Sequence, residues 1–196
     1  MIVHLESSLS GIFSRWQPCY AEHGIATFPV DETKKPRIRG WQKVGLKGST
    51  VLADKFIDAD ALGYVTGRRS NVTVLDIDTT DAKVAEDAIR RHGQPTIVTR
   101  TASGKSHPLY RYSGEGRRIR PWPELPIDLL GDNGYALAAP SKLAIGSYEI
   151  IHGHFDDLRR LTPMVGAPSE AIALPLPPKW TGMRASPGAS NGPTAC

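Results

Sequence analysis

The chain has little cysteine, few aromatics and no long apolar run. Two cysteines, Cys19 and Cys196, in 196 residues exclude a disulfide framework, and they lack the spacing of a zinc site. No stretch approaches the roughly 20 apolar residues of a membrane span, and the N-terminus lacks the apolar core of a signal peptide. The expected setting is therefore a reducing cytoplasm, with no membrane partner. Neither sign of charge dominates: 24 Lys and Arg against 20 Asp and Glu give a net charge of +4, which permits a polyanionic partner without requiring one. A hydrophobic content of 40% with 22% charged residues is ordinary for a globular protein, and the length suits one domain with a real core. No internal repeat is evident.

A P-loop is also missing, although Thr101–Tyr110, TASGKSHPLY, contains a GKS triplet. The P-loop pattern requires a glycine five residues before Gly104, where the chain has Thr99, and it must open a helix. Here His107-Pro108-Leu109-Tyr110-Arg111-Tyr112 follows, whose proline and aromatics suit a strand.

What is present is a mixture of helices and strands. Leu9, Ile12, Phe13 and Trp16 fall at helical spacing, and Pro18 is expected to end or kink that helix. A second helix is expected around Leu52–Ile57, and a third over Asp81–His92, opened by Asp81 and stopped by Gly93 and Pro95. Strands are expected at Ile25–Val30, Gly63–Thr66, Val72–Asp78, Thr96–Thr101, His107–Tyr112, Pro126–Leu130, Tyr135–Ala139 and Ser147–Ile151. Many strands with few helices predict an α+β fold with a mixed or antiparallel sheet. Beyond Gly166 proline and glycine accumulate, so residues 1–181 read as one domain and 182–196 as a flexible tail or truncated linker.

The chemistry concentrates in the acids. Val72–Asp78, VTVLDID, is an apolar strand carrying Asp76 and Asp78 two residues apart. Strand side chains alternate, so both lie on one face, about 6–7 Å apart. Two carboxylates that close repel unless a cation intervenes, and hard Mg²⁺ or Mn²⁺ suits them. Strand-end aspartates also cap turns, and the same pattern occurs in glycosyltransferases, nucleases and phosphatases. Asp128 lies inside the apolar strand Ile127–Leu130, where a charge is costly unless paired or metal-bound. Asp132 reads as a turn former. His107, beside Ser103, Gly104 and Lys105, is a candidate phosphate ligand. Basic clusters at Lys34, Lys35, Arg37 and Arg39, at Arg68 and Arg69, and at Arg117, Arg118 and Arg120 lie in loops and are candidates for phosphate contact. Arg90 and Arg91 suit the last turn of their helix.

Taken in order, several segments resemble one family. They are Tyr20…Gly24-Ile25…Phe28-Pro29-Val30, Lys35-Pro36…Gly40-Trp41-Gln42 and Gly63…Thr66-Gly67-Arg68. Val74–Asp78 and Thr101…Ser103-Gly104…His107…Tyr110 follow. Next come Ile127-Asp128…Gly131-Asp132…Gly134-Tyr135…Ala139-Pro140-Ser141, Gly146–Glu149 and Leu174–Trp180. The set, over about residues 17–181, is similar to the bifunctional primase–polymerase domain of plasmid and phage replication proteins, within the archaeo-eukaryotic primase superfamily. The resemblance implies a core with an RRM-like mixed or antiparallel sheet flanked by helices. It implies a nucleotidyltransferase that uses two divalent ions, Mg²⁺ or Mn²⁺, to extend DNA on a template, with priming as a further candidate activity. Its partners would be template and primer DNA, nucleoside triphosphates, and a replicative helicase. Asp76, Asp78 and Asp128 would hold the metals, with His107 catalytic. Ser103, Lys105 and His107 would hold triphosphate, and Lys35 and Arg68 would contact nucleotide or template. The chain departs from the family pattern at Lys105 and Asn133, where glycine is common, and at Leu130, where arginine is frequent; Arg117, Arg118 or Arg120 could take that role. A non-catalytic nucleic-acid or nucleotide-binding module, and a metal-dependent nuclease or glycosyltransferase, are the alternatives.

Overall fold

The structure is a computed structural model that describes residues 10–166. Leu9, Leu174–Trp180 and the 182–196 tail lie outside the described residues.

Two antiparallel sheets share one core. Helix α1 (Ile12–Glu22) leads into β1 (Thr27–Pro29), and a 3₁₀ turn at Trp41–Lys43 precedes α2 (Leu46–Lys55). Strands β2 (Leu62–Val65) and β3 (Val72–Ile77) follow, then α3 (Ala82–His92) and β4 (Ile97–Arg100). The chain continues through β5 (Ser106–Arg111), β6 (Ile127–Leu130) and β7 (Tyr135–Leu137). A short hairpin, β8 (Lys142–Leu143) with β9 (Gly146–Ser147), then leads to β10 (Glu149–His152) and a 3₁₀ turn at Phe155–Arg159. The small sheet runs β1-β2-β7 and the large one β10-β4-β5-β3-β6. Every strand pairing in both is antiparallel, as the α+β reading expects.

The alternation of β3 and its neighbours assigns each face of the large sheet a partner. Leu75, Ile77, Tyr110, Ile127 and Leu129 pack with Ala88 of α3 and Met164. On the opposite face Val74, Ile97, Leu109 and Leu130 join Phe13 and Tyr20 of α1 and Leu62 and Tyr64 of the small sheet. The second face therefore looks toward the small sheet, and it carries the acids.

Two helices differ from expectation. Of the two outcomes expected at Pro18, an end or a kink, the first does not occur: α1 runs on through it to Glu22. Cys19 and Tyr20, just beyond the proline, are buried, so packing outweighs the missing backbone donor. Helix α2 begins at Leu46, six residues before the expected Leu52, because Gly45 serves as its N-cap and Gly48 hides the helical pattern. It is held by buried Ser49, whose Oγ accepts from the Thr27 backbone N–H at 3.0 Å. Asp81 caps α3 as expected, accepting from the Lys83 N–H at 2.9 Å, and Arg90 and Arg91 both pair with Asp87 of the same helix.

Candidate active site

Strand register builds the site in three transverse rows. In the first, Ile97 pairs with Leu109, and Val74 pairs with both Leu109 and Leu130; all four are apolar core. One step of two residues along each strand leads to Thr99, His107, Asp76 and Asp128. Thr99 is the register partner of His107 and Asp76 that of Asp128, while His107 falls beside Asp76 in the β3–β5 register. A second step reaches Lys105 and Asp78, beyond the ends of β5 and β3. The Asp78 N–H donates to the Pro126 carbonyl at 2.7 Å, which makes 78/126, and hence 76/128, hydrogen-bonded positions with Cα atoms about 5.5 Å apart. The face thus passes from oil to carboxylate within two residues.

Each acid meets a cation. His107 Nε2 lies 3.1 Å from Asp76 Oδ1, and Lys105 Nζ lies 3.0 Å from Asp78 Oδ1. Arg120 spans two acids, with Nη2 3.8 Å from Asp78 Oδ2 and Nε 3.8 Å from Asp128 Oδ1. Its backbone N–H also donates to Asp128 Oδ1 at 3.0 Å, an orientation reached through a left-handed φ of 46°. Of the three loop arginines at 117, 118 and 120, this one joins the acids. Burial raises the Asp76 pKa, but the hydrogen bond and charge of His107, with Lys105 and Lys34, outweigh it and hold the carboxyl below its usual range. Tyr148, buried 6.0 Å from the His107 ring, has its phenol pushed up by burial and by the charge of Asp76.

The turn between β4 and β5 supplies Lys105. The Gly104 N–H donates to the Thr101 carbonyl at 2.9 Å, and the Thr101 N–H donates to the Lys105 carbonyl at 2.8 Å. Gly104 takes φ 81°, a left-handed conformation that glycine adopts without strain. Ser103 sits exposed at the tip, with its Oγ 3.2 Å from Thr101 Oγ1.

Two nominated cations stand elsewhere. Lys35 is exposed and engaged through its backbone N–H, which donates to Asp31 Oδ1 at 2.9 Å. The cation of that loop whose charge acts on Asp76 is Lys34. Sequence reasoning placed Lys34 in the same basic cluster as a candidate for phosphate contact, but chose Lys35 from that cluster for nucleotide or template contact. Lys34 takes a left-handed φ of 68°, which nothing in the sequence announces. Arg68 pairs with Asp132 through Nε at 2.6 Å and Nη2 at 2.5 Å. It lines a polar cleft of about 210 Å³ with Arg69, Gln42 and Asn133. Asp132, read as a turn former, is the anchor of that arginine.

Among the described residues, no three His, Cys, Asp or Glu side chains stand close enough to hold a metal ion as they are. The donors fit a hard divalent ion by chemistry, being three carboxylates on one sheet face. What balances them here is the protein's own Lys105, Arg120 and His107.

Residues 18–170 match the family described as bifunctional DNA primase/polymerase, N-terminal (Prim-Pol). The chain belongs to that family, and a primase/polymerase function in general comes with it. No individual curated protein matches the chain. Among the described residues no helix is long and apolar enough to cross a membrane.

Proposed function

We propose that the chain is a template-directed nucleotidyltransferase that extends, and in the family's second activity starts, DNA strands in plasmid or phage replication. One observation carries the reading: Asp128, Asp76 and His107 share one row of the sheet, with Lys105 and Asp78 in the next, at the edge of the core that joins the two sheets. A reaction that joins a strand's 3′-hydroxyl to a nucleotide and expels pyrophosphate needs clustered anions beside clustered cations, and this face supplies both.

Asp76, Asp78 and Asp128 would hold Mg²⁺ or Mn²⁺. Such ions supply charge neutralisation at the reacting phosphate and a lower pKa for an attacking hydroxyl. The protein's own part is to position. Lys105 and Arg120, paired to the acids, are cations of the right reach to turn toward a triphosphate. His107, held by Asp76 at 3.1 Å and flanked by Tyr148, offers an imidazole N–H to a phosphate oxygen. Ser103 at the turn tip adds a hydroxyl donor beside Lys105.

The test is extension of a labelled primer on a template, with Mg²⁺ and then Mn²⁺, using the unaltered chain, Asp76→Asn and Asp128→Asn. Extension by the unaltered chain and its loss in both variants is expected. Full activity in either variant would remove these acids from the mechanism. Nucleotide binding that ignores metal, with no product, would instead make the chain a binding module. Omitting the primer tests priming, and presenting each nucleotide set in turn reads sugar preference. Degradation of single-stranded DNA with metal alone would point to a nuclease.

A further inference from the structure

The chain's positive charge is concentrated away from the acids. Residues 34–55 hold seven Lys or Arg and one acid, Asp54. The other 174 residues hold 17 Lys or Arg and 19 acids, so the whole net excess comes from this segment. Most of these cations are uncommitted: within the segment and among the described residues, only Arg37 forms an ion pair, with Asp58. By contrast, Arg90 and Arg91 of α3 both pair with Asp87.

Helical geometry arranges the segment as a strip. Lys47, Val51 and Lys55 recur every four residues along α2 and share one stripe, while Ser49 and Ala53 are buried against the molecule. Lys43 stands in the 3₁₀ turn before the helix, separated from it by the extended Val44 and Gly45. At the far end, Arg37 and Lys55 both approach the Phe56 ring, at 4.9 and 5.8 Å. Arg37 returns the strip to the loop that carries Lys34, whose charge reaches Asp76 and whose carbonyl accepts from the Tyr135 hydroxyl at 2.9 Å. The strip therefore runs from the loop whose Lys34 charge acts on Asp76 to the outer face of α2.

A second observation selects the partner. Leu46 is 44% exposed, Val51 65% and Ile57 54%, three of the seven exposed large hydrophobics among the described residues. A duplex presents phosphates and keeps its bases stacked inside. A single strand presents phosphates and apolar base faces together, and a surface that sets exposed aliphatic side chains beside cations can pair with the first and cover the second.

We infer that this strip, the face of α2 with the loop before it, carries the single-stranded template toward the acids. The inference rests on the polymerase reading and adds where the template lies.

The experiment is fluorescence anisotropy of a labelled single-stranded 20-mer from low to high NaCl, with the full chain and a Lys43→Ala/Lys47→Ala/Lys55→Ala triple variant. For single strands each neutralised phosphate contributes about 0.7 to the slope of log affinity against log salt, so losing three contacts should flatten it by about 2. A control triple, Lys83→Ala/Arg90→Ala/Arg91→Ala on α3, should leave the slope unchanged. Val51→Asp should weaken binding as well, through the apolar component. Thermal melting confirms that each variant is folded; if the triple fails to fold, Lys47→Glu alone should reduce affinity and slope. An unchanged slope in the folded strip variant, or an equal loss in the control, overturns the proposal. A duplex that binds more tightly and loses as much overturns the single-strand assignment. Failure of the unaltered chain to extend a primer would sink the polymerase reading, whereas a strip variant that binds and extends normally would sink only this one.

Discussion

Asp76 and Asp128 face each other as register partners on β3 and β6, two carboxylates opposed across adjacent strands. Like charges directly opposite destabilise a sheet. The arrangement therefore stands at some cost to the metal-free fold. Asp128→Asn keeps an acceptor for the Arg120 N–H, which reaches Asp128 at 3.0 Å, and removes the repulsion. We expect it to raise the urea midpoint of the metal-free chain slightly while abolishing primer extension. A lowered midpoint would mean that pairing with Arg120 outweighs the repulsion from Asp76.

Arg120 touches both Asp78 and Asp128, so a divalent ion at these acids competes with a guanidinium. Two half-exposed ion pairs contribute about 1 kcal/mol together, or roughly fivefold in affinity. Arg120→Ala is expected to bind Mn²⁺ about fivefold more tightly in the absence of nucleotide, read by the free-ion EPR signal. The same variant should hold nucleotide more weakly once Mn²⁺ is present. Unchanged or weaker Mn²⁺ binding would show that the arginine does not compete.

The Asp76 carboxyl sits below its ordinary pKa because His107, Lys105 and Lys34 outweigh burial. A depressed folded-state pKa contributes stability above the unfolded value of about 3.9, and that stability is lost as pH falls through the folded value. Removing the imidazole with His107→Gln brings the folded value back toward the unfolded one. Urea midpoints followed downward from pH 5 should therefore show a smaller acid-induced fall in His107→Gln than in the unaltered chain. Equal acid limbs would mean that His107 does not hold Asp76 ionised.

What could be read in the sequence was whatever depends on alternation. Asp76 on one face of a strand, and a charge at Asp128 inside an apolar one, are consequences of a period of two, and β3 and β6 carry those two as expected, with Asp78 the first residue past the end of β3. Register is different, because it depends on which strands meet. Nothing local distinguishes 128 facing 76 from 128 facing 78, and the β3–β6 pairing decides it. Positive φ angles were equally hidden. They occur at Lys34 and Arg120, non-glycine residues for which that conformation is uncommon; Arg120 reaches two of the acids, and the charge of Lys34 acts on Asp76. Helix α2 was misplaced because glycines at 45 and 48 look like a loop, whereas the buried Ser49 contact to Thr27 is tertiary.

Leu130 decides how the chain departs from its family's pattern. It pairs with Val74 in the apolar row next to the acids, 7% exposed, within the core that α1 and the small sheet complete. An arginine placed there would bring a guanidinium into that core two residues from Asp128. Its head could reach the acids only by displacing Arg120 or by dragging its stem through packed side chains. A buried, imperfectly paired charge of this kind costs several kcal/mol. Leu130→Arg is thus expected to lower the urea midpoint strongly, by about 3 kcal/mol in unfolding free energy, and to give no gain in extension. If the arginine were accommodated at little cost and raised nucleotide affinity, the surrounding core would have room for it. Arg120 would then be a bystander and not the cation serving these carboxylates.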